Sequence, residues 1–348
     1  MVEYFPAVTR AQEPRVSVCI AHYKDPKLIA ACIDSVLAQE SDFGVEIIVH
    51  DDASSDDSVA FIRKHYPQIE ILASQVNVGF CVANNRMVAQ ARGQFVLLLN
   101  NDAALLPGAL ATLADAAAQQ NPTGILTLPQ YDWESGELVD RGCLLDLFYN
   151  PVPNKDPYRN DVAMVIGACL WIERKTWTQL GGFPEWFESI GEDLYLCCAA
   201  RLAGLPVQAL SESGYRHRQG SSFGGGKLTD GKLASSFRRR QLSERNKTYV
   251  LFVMTPTVFV WPMLWIHIII LVSEGVALSV VGLNYRPLRE IYLNTVLSLW
   301  RERGFLMARR RTIRKTISQR PFEYYRRFVV WPRKLTMLKD YGWPSIRG

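Results

Sequence analysis

Three acidic residues stand where the sequence would place them in a cleft: Asp52, Asp102 and Asp193. Asp102 ends the stretch LLLNND, in which three leucines run directly into two amides and an acid. A carboxylate beside two amides forms an oxygen-rich corner that suits a hard divalent cation such as Mg²⁺ or Mn²⁺. Mg²⁺ usually takes its other ligands from water and phosphate, so the pattern predicts a cation site that also accepts phosphate.

A second acidic site is the pair Glu192 and Asp193, which begins a predicted helix. The helix dipole stabilises negative charge there, so capping alone is one explanation. The preceding stretch GGFPEWFESI mixes glycines, acids and aromatic rings. Proteins commonly hold ligands in aromatic-lined pockets and use a carboxylate there as general base, which is the other explanation. Asp51 and Asp52 are open to the same two interpretations.

Two histidines are candidates for ligand contact. His217 lies between Arg216 and Arg218 in the glycine- and serine-rich stretch RHRQGSSFGGG, where it can be a surface residue or contact a metal or phosphate. His22 lies at the end of the first predicted strand, where packing and hydrogen bonding would explain it equally well.

The elements that must position these residues alternate between strand and helix over the first 130 residues. Apolar, β-rich runs predict strands at residues 16–23, 45–52, 69–74, 94–100 and 124–129. Helical spacing of apolar residues fills the gaps, and Asp25 and Pro26 suit the start of the first helix. This alternation predicts an α/β fold with a Rossmann-like, mostly parallel sheet flanked by helices. Ligands then bind at the carboxyl ends of the strands, where Asp52 and Asp102 stand.

Beyond residue 130 the pattern is less regular. Residues 162–172 predict one further buried strand, and residues 191–204 predict a helix that ends at a glycine. No GxGxxG, GxxxxGK[ST] or GxSxG motif is present, which excludes the usual dinucleotide, P-loop and nucleophile-elbow enzymes. The seven scattered cysteines form no CxxC or metal framework, so we expect reduced, mostly buried thiols in a cytosolic protein. The N-terminal stretch has no apolar core of the kind that a secretory signal carries.

The C-terminal part combines apolar and basic character. Residues 284–348 hold 16 Lys+Arg and 4 Asp+Glu, a net charge of +12, so the first 283 residues carry −7 of the total of +5. Residues 249–283 are nearly all apolar, with only His267 and Glu274 ionisable, and residues 263–283 are long enough to span a bilayer. Because both flanks are basic, a single span would oppose the positive-inside tendency.

We therefore expect the C-terminal helices to dip into one leaflet of an anionic membrane, in a peripheral or re-entrant manner. The alternative is a buried helical subdomain of a soluble protein. Nucleic acid is not the expected partner of the basic tail.

Taken together and in order, these motifs resemble the inverting family-2 glycosyltransferases with the A-type nucleotide-sugar fold. The resemblance covers residues 15–225. It is carried by VSVCIAHY, VHDDASSDDS, NVGFCVANN, LLLNND, the block from GACLWI to EDLYLCCAARLAG, and RHRQGSSFG.

The resemblance implies a role for each matching residue. It makes Asp193 the general base, with Glu192 as its neighbour, and Asp102 and His217 the ligands of Mg²⁺ or Mn²⁺. The residues it assigns to nucleotide-sugar binding are Ala21, His22, Tyr23, Asp52, Asn77, Gly79, Asn84, Asn100 and Asn101. Those it assigns to the acceptor or the diphosphate are Glu185, Trp186, Arg216 and Arg218.

Two positions depart from the family pattern. Asn100 replaces the first acid of the Asp-x-Asp metal motif, and Pro184 replaces the usual acid after GGF, with Glu185 next. The implied organisation is an N-terminal extension (1–14), a nucleotide-sugar-binding half (15–130), an acceptor-binding and catalytic half (131–245) and the C-terminal apolar and basic helical region (246–348).

The resemblance also implies a function. A sugar moves from a nucleotide-diphosphate sugar to a saccharide acceptor, lipid-linked in the specific expectation, with inversion, in cell-surface polysaccharide synthesis. A weaker likeness to bacterial rhamnosyltransferase-type enzymes suggests rhamnose. The expected location is the cytoplasmic face of the cell (inner) membrane, and a homo-oligomer is compatible with it. The alternatives are a non-catalytic nucleotide-sugar-binding scaffold on the membrane and a metal-dependent phosphotransferase with Asp51 or Asp52 as nucleophile.

Overall fold

A computed structural model of the chain describes residues 2–9, 12–218, 225–229 and 232–347. Residues 219–224 of the predicted glycine-rich loop lie outside this range. The chain divides into two compact units. The first comprises Met1–Cys143, Pro153–Ala200 and Leu205–Arg218, and the second Leu144–Val152, Arg201–Gly204 and Gln219–Gly348.

Strands and helices alternate first and helices dominate later. The strands are β1 (Val2–Phe5), β2 (Pro14–His22), β3 (Gly44–Asp51), β4 (Glu70–Ser74), β5 (Phe95–Asn100), β6 (Ala103–Leu105), β7 (Ile125–Thr127), β8 (Gln130–Asp132), β9 (Leu138–Asp140), β10 (Cys143–Asp146), β11 (Pro151–Pro153), β12 (Cys169–Glu173), β13 (Val207–Ala209), β14 (Tyr215–His217), β15 (Gly225–Thr229), β16 (Lys232–Ser236), β17 (Phe328–Val329) and β18 (Ser345–Arg347). The helices are α1 (Pro26–Leu37), α2 (Ser58–His65), α3 (Phe80–Gln90), α4 (Ala109–Ala118), α5 (Arg174–Leu180), α6 (Glu192–Leu202), α7 (Phe237–Met254), α8 (Val260–Val281), α9 (Asn294–Arg301), α10 (Arg303–Thr316), α11 (Pro321–Tyr325) and α12 (Arg333–Tyr341), with a 3₁₀ turn at Glu185–Phe187 and a π-helical turn at Leu288–Leu293.

The first unit is built on an eight-stranded sheet in the order β1-β4-β3-β2-β5-β12-β7-β13. Strands β2, β3, β4 and β5 run parallel, whereas β1 and β12 are antiparallel to their neighbours. The predicted mostly parallel α/β sheet with flanking helices is confirmed. Its central strands are buried along almost their whole length, which is why their sequences are continuous apolar runs rather than alternating ones.

Local sequence signals begin the helices as predicted. Asp25 Oδ1 accepts a hydrogen bond from the Leu28 backbone N–H at 3.1 Å, and Pro26 occupies the first helical position of α1. The buried face of α1 packs Ile29 and Ile33 into the main apolar core of the sheet. All seven cysteines are buried, as predicted.

The single strand predicted over residues 162–172 is wrong. Only the second half forms a strand, β12, which is antiparallel to β5. The chain turns at Gly167 and Ala168, and residues before this turn make only isolated bridges, at Asp161 and Met164. The apolar run therefore breaks where its backbone bonds to other segments, as described below.

A smaller sheet in the same unit has the order β6-β14-β8-β9. Strand β14 is antiparallel to β6 and parallel to β8, so that His217 pairs with Ala103 on one side and Asp132 on the other. This sheet brings the end of the first unit back to the segment that follows β5.

The second unit is mainly helical. Helix α8 is, within the described residues, the one helix long and apolar enough to cross a membrane, with 22 residues and a mean hydropathy of 2.1. Its two ionisable residues face the interior of the unit. His267 Nε2 lies 2.8 Å from Thr248 Oγ1, and Glu274 forms ion pairs with Lys334, at 2.5 Å, and with Arg240.

Candidate active site

Asp52 fixes the glycine turn before α3. Its two carboxylate oxygens accept the backbone N–H groups of Val78, at 2.7 Å, and Gly79, at 2.9 Å. Asn77 Nδ2 donates to the Asp52 carbonyl at 3.2 Å, and the Asp52 N–H donates to the His22 carbonyl at 2.8 Å. Asp52 thus joins the ends of β2 and β3 to the turn predicted to border the nucleotide.

Gly79 is required by backbone geometry at this turn. Its φ of +85° is a conformation that side-chain-bearing residues rarely adopt, and a Cβ there would lie 3.2 Å from the Glu188 carbonyl oxygen. The Cys81 N–H donates to the same carbonyl at 3.3 Å. The start of α3 is therefore bonded to the acid-rich segment that precedes α6.

The polar tip of β5 is buried among backbone and side-chain partners. Asn101 Nδ2 lies 3.0 Å from His22 Nδ1, and burial lowers the pKa of His22 to about 4, against the opposing effect of Asp56 and Asp25. His22 is therefore neutral at neutral pH, and its Nδ1 can accept from the Asn101 amide. Asn100 is only partly buried as a residue, but its Oδ1 is buried and has no hydrogen-bond partner among the described residues.

The two residues implied as metal ligands lie together. Asp102 Oδ1 is 3.1 Å from His217 Nε2, and the Arg218 N–H donates to the Asp102 carbonyl at 3.0 Å. Asp102 is 4% exposed and His217 is 7% exposed. Within the described residues no three His, Cys, Asp or Glu side chains form a ready cation site.

Asp193 stands at the first turn of α6, as predicted. Its Oδ1 accepts the Leu194 N–H at 2.7 Å, and its Oδ2 accepts the Gly167 N–H at 3.1 Å. Glu192 beside it is buried. The preceding loop is strained, because Glu188 and Ile190 both adopt positive φ, at 67° and 68°, which is unusual for a β-branched residue such as Ile190.

Asp193 and the tip of β5 are held by consecutive residues. Gly167 donates its N–H to Asp193, and the Ala168 carbonyl accepts the Asn100 N–H at 3.0 Å. The turn that interrupts the predicted strand at residues 162–172 therefore connects the implied general base with the implied diphosphate corner.

The aromatic segment before α6 forms a packed cluster. Trp186 makes edge contacts with Phe187 and Tyr195, at centroid distances of 4.5 and 6.0 Å. Glu185 Oε1 accepts Asn85 Nδ2 at 3.1 Å, so this predicted acceptor residue is bonded to α3.

The two arginines around His217 point to different surroundings. Arg216 is exposed, on the opposite face of β14 from the buried His217. Arg218 is half-buried, and its guanidinium lies 4.3 Å from the centroid of the Trp133 ring. Of the pair, Arg218 is the one whose backbone bonds to Asp102.

Three further residues assigned to nucleotide-sugar binding differ from one another in burial and in contacts. Asn84 is 1% exposed and donates to the Phe80 carbonyl of its own helix at 2.9 Å, so its amide supports α3 from within. Tyr23 is 50% exposed beside Lys24, whose Nζ is 4.9 Å from its ring centroid. Ala21 is half-buried in β2 and pairs with Asn100 of β5.

Sequence reasoning missed several residues that build the site. Asn85 binds the backbone of Phe183 with both amide atoms, and Gln130 contacts His217 Nδ1 at 3.3 Å. The Gln130 contact depends on the pairing of β8 with β14, which no local pattern reveals. For Asn85, the available signal was its helical position next to Asn84 in the motif NVGFCVANN.

The chain is similar in sequence to known proteins. Residues 17–177 match the family model for Glycosyl transferase family 2. The chain is 31% identical over 226 residues to the succinoglycan biosynthesis protein ExoO of Rhizobium meliloti (strain 1021), covering 62% of this chain and 64% of that protein. It is 25% identical over 182 residues to an N-acetylglucosaminyl-diphospho-decaprenol L-rhamnosyltransferase of Mycobacterium tuberculosis (strain ATCC 25618 / H37Rv), covering 44% of this chain and 59% of that protein.

The chain thus spans less than two thirds of the length of these relatives. A solved structure of GalNAc-T7 with UDP, GalNAc and Mn²⁺ is similar with a TM-score of 0.54 at 15% identity, covering 70% of this chain and 48% of that one. This likeness shows a shared fold. Residues 17–177 of the chain are thus similar to glycosyl transferase family 2, and the chain has relatives among bacterial proteins of polysaccharide synthesis.

Proposed function

We propose that the protein transfers a glycosyl group from a nucleotide-diphosphate sugar to a saccharide acceptor, with inversion, in the synthesis of a cell-surface polysaccharide. The observation that carries this proposal is the link through Gly167 and Ala168. It holds the Asp193 carboxylate and the tip of β5 at two successive peptide groups. A single displacement requires the general base to lie close to the residues that hold the diphosphate.

Asp193 is the proposed general base. As the acceptor oxygen bonds to the anomeric carbon, the bond from that carbon to the diphosphate oxygen breaks, and the hydroxyl proton passes to Asp193. The Gly167 and Leu194 N–H groups donate to the two carboxylate oxygens and so orient Asp193. Attack opposite the leaving group inverts the configuration, and no second nucleophilic carboxylate is needed.

Asp102 and His217 are the proposed ligands of a divalent cation, Mg²⁺ or Mn²⁺. The residues fit such an ion, because a carboxylate and an imidazole already lie 3.1 Å apart and Asn100 offers a buried amide oxygen with no partner in the described structure. When bound, the ion would neutralise the charge that develops on the departing diphosphate. With one carboxylate in the motif, we expect weak cation binding without the donor and stronger binding with it.

The identity of the sugar and the acceptor rests on relatives. Rhamnose is the specific proposal for the sugar, supported by the mycobacterial relative named as a rhamnosyltransferase, at 25% identity. The name of that relative specifies a decaprenol-linked saccharide, and this supports a lipid-linked acceptor for the present protein. A donor of this kind is soluble and cytosolic, so the proposed location is the cytoplasmic face of the cell membrane.

The C-terminal unit supports attachment to that membrane. Helix α8 turns His267 and Glu274 inward, and its outward face exposes large apolar side chains such as Trp261, Trp265 and Ile269. Because Glu274 is bound to Arg240 and Lys334 of its own unit, separating α8 to span a bilayer would break these ion pairs. We therefore propose a peripheral or re-entrant attachment, with the basic tail on anionic headgroups.

A donor screen tests the enzymatic proposal. The purified protein is incubated with a panel of nucleotide sugars and membrane lipid extract, with and without Mg²⁺ or Mn²⁺, and release of nucleoside diphosphate is measured. We expect turnover of one donor class, and loss of turnover in Asp193→Asn at unchanged thermal stability. The matched control is Asp115→Asn, an exposed acid of α4 in the same unit.

The scaffold alternative is favoured by one observation, the asparagine at position 100 in the metal motif. A scaffold would bind a nucleotide sugar without consuming it. If no donor is consumed, or if Asp193→Asn and the wild type release nucleoside diphosphate equally fast, the proposed mechanism is wrong. The anomeric configuration of the product, read by NMR, separately tests inversion.

A further inference from the structure

The imidazole of His217 is held at both of its nitrogens. Nε2 lies 3.1 Å from Asp102 Oδ1, and Nδ1 lies 3.3 Å from Gln130 Oε1. Gln130 is completely buried. Which nitrogen of a histidine can bind a cation depends on the hydrogen bond that the other nitrogen makes. Gln130 therefore has a direct influence on how His217 is presented to Asp102.

Tyr215 determines which end of the Gln130 amide faces the ring. Its hydroxyl donates to Gln130 Oε1 at 2.8 Å, which marks this oxygen as an acceptor. Without a cation, the Asp102 carboxylate can only accept, so its contact with Nε2 places a proton on that nitrogen. When a cation takes the place of that proton, the Gln130 oxygen accepts the hydrogen bond from Nδ1–H, and Nε2 offers its lone pair to the cation. The opposite amide orientation would place an N–H against Nδ1 and hold the ring proton on Nε2, where it would block a cation.

The strand pairing holds these groups in register. Tyr215 pairs with Gln130 in the parallel pair of β14 and β8, and His217 is two residues farther along the same strand. Residues two apart on a strand point to the same face, so Tyr215 and His217 both reach Gln130. Both side chains are buried, at 1% and 7% exposure.

We propose that Gln130, oriented by Tyr215, is a positioning residue that holds the ring proton of His217 on Nδ1 when a cation is bound and so presents Nε2 as a cation ligand beside Asp102. The proposal rests on the proposed role of Asp102 and His217 in holding a divalent cation. Histidine ligands usually donate their second N–H to an oxygen, and loss of such a partner commonly costs about 10- to 100-fold in metal affinity.

The test measures Mn²⁺ alone, bound to the full chain with UDP present, by the loss of the free-ion EPR signal. We expect Gln130→Met, which keeps the length but removes the acceptor, to weaken Mn²⁺ binding by about 10-fold or more. Gln130→Glu, which keeps an acceptor oxygen, restores most of the affinity. Tyr215→Phe frees the amide to turn and weakens binding by a smaller factor. Thermal unfolding of each variant shows whether it is folded.

A second measurement reads the tautomer without the EPR probe. In ¹⁵N-labelled protein with Mg²⁺ and UDP, the ring-nitrogen shifts assigned through His217→Gln report a protonated Nδ1 in the wild type. Gln130→Met moves the proton toward Nε2. If Gln130→Met and Tyr215→Phe bind Mn²⁺ as the wild type does while His217→Gln does not, the positioning role is refuted and the cation site stands. If Asp102→Asn and His217→Gln also bind normally, the cation site itself is refuted, and the positioning role with it.

Discussion

At the scale of single residues, Asp52 holds its position by accepting two backbone hydrogen bonds. An asparagine at this position has one acceptor oxygen, so Asp52→Asn leaves one of the N–H groups of Val78 and Gly79 without its partner. We expect a loss of about 1–3 kcal/mol in unfolding free energy and a raised KM for the donor. Denaturant unfolding and donor kinetics measure both. Equal values in Asp52→Asn and in the exposed control Asp115→Asn would contradict this prediction.

Two glycines allow a paired test of backbone strain and close approach. Gly79 and Gly108 have similar φ values, +85° and +77°, but a Cβ would meet the Glu188 carbonyl only at Gly79. Their ψ angles differ, at 163° for Gly79 and 2° for Gly108. Gly108 is in the left-handed region, which alanine reaches at a cost of roughly 1 kcal/mol, whereas Gly79 is in a region that is essentially restricted to glycine. Gly79→Ala should therefore cost more than Gly108→Ala, through its backbone conformation and through the contact with Glu188. Unfolding midpoints of the two variants, with donor turnover, test this. An equal loss in both variants would contradict this prediction.

At the scale of elements, β3 carries a buried histidine that makes the sheet sensitive to acid. His50 is fully buried, its Nε2 lies 3.3 Å from Ser74 Oγ, and its pKa is lowered to about 4, chiefly by burial. The unfolded chain takes up this proton near its ordinary pKa of 6.5, whereas the folded chain does so only near 4. The stabilisation of the folded state by neutral His50 is therefore fully present above pH 6.5 and is lost as the pH falls toward 4.

The variant His50→Gln keeps an amide that can donate to Ser74 but does not titrate. We expect the wild type to lose roughly 2–3 kcal/mol relative to His50→Gln between about pH 7.5 and about pH 4.5. Denaturant unfolding at the two pH values gives the difference. A stability gap that is constant across this range would show that His50 is not held neutral in the sheet.

At the scale of the whole molecule, substitutions on the outward face of α8 test whether the protein attaches to a membrane or is soluble throughout. Trp265 and Ile269 are 66% and 63% exposed on this face. Replacing both by glutamate should reduce co-flotation with anionic vesicles by at least about 10-fold, because burying each large apolar side chain contributes roughly 1.5–3 kcal/mol. Tyr158→Glu, at a 94% exposed position of the first unit, is the control.

The lipid composition of the vesicles adds a second readout. Because residues 284–348 carry a net charge of +12, binding of the wild type should weaken with salt and with loss of anionic lipid. Persistent flotation of the Trp265→Glu/Ile269→Glu variant would rule out this face as the attachment surface. Salt-independent flotation would leave no role for the basic tail.

Features of the fold and of the candidate site could be predicted from the sequence where a short local stretch carries the signal. The burial of Leu97 to Leu99 and the polar tip at Asp102 follow from one short stretch, and the start of α1 follows from Asp25 and Pro26. The approach of His217 to Asp102 came only from the family resemblance, because the pairing of β14 with β6 joins distant segments.

Other features had no sequence signal that reasoning could use. The apolar run at residues 162–172 satisfies the pattern of a single strand, but the chain turns at Gly167, whose N–H donates to the remote Asp193, and the pairing with β5 begins only at Ala168, which accepts the Asn100 N–H. The sequence shows Glu274 as one of two ionisable residues in an apolar stretch, without showing what surrounds it. Only the structure shows that Arg240 and Lys334 neutralise it within the protein.

The separation of Asp102 and His217 has a consequence for how the protein matures. The two residues are 115 positions apart in the chain, and β14 must insert between β6 and β8 to bring them together. During synthesis the strands β2 to β5, with the Asp52 turn, can assemble while His217 is still within the ribosome. The chain should therefore acquire the turn proposed to bind the nucleotide before the residues proposed to hold the cation. If both proposals hold, a polypeptide released early would bind a nucleotide sugar without being able to cleave it.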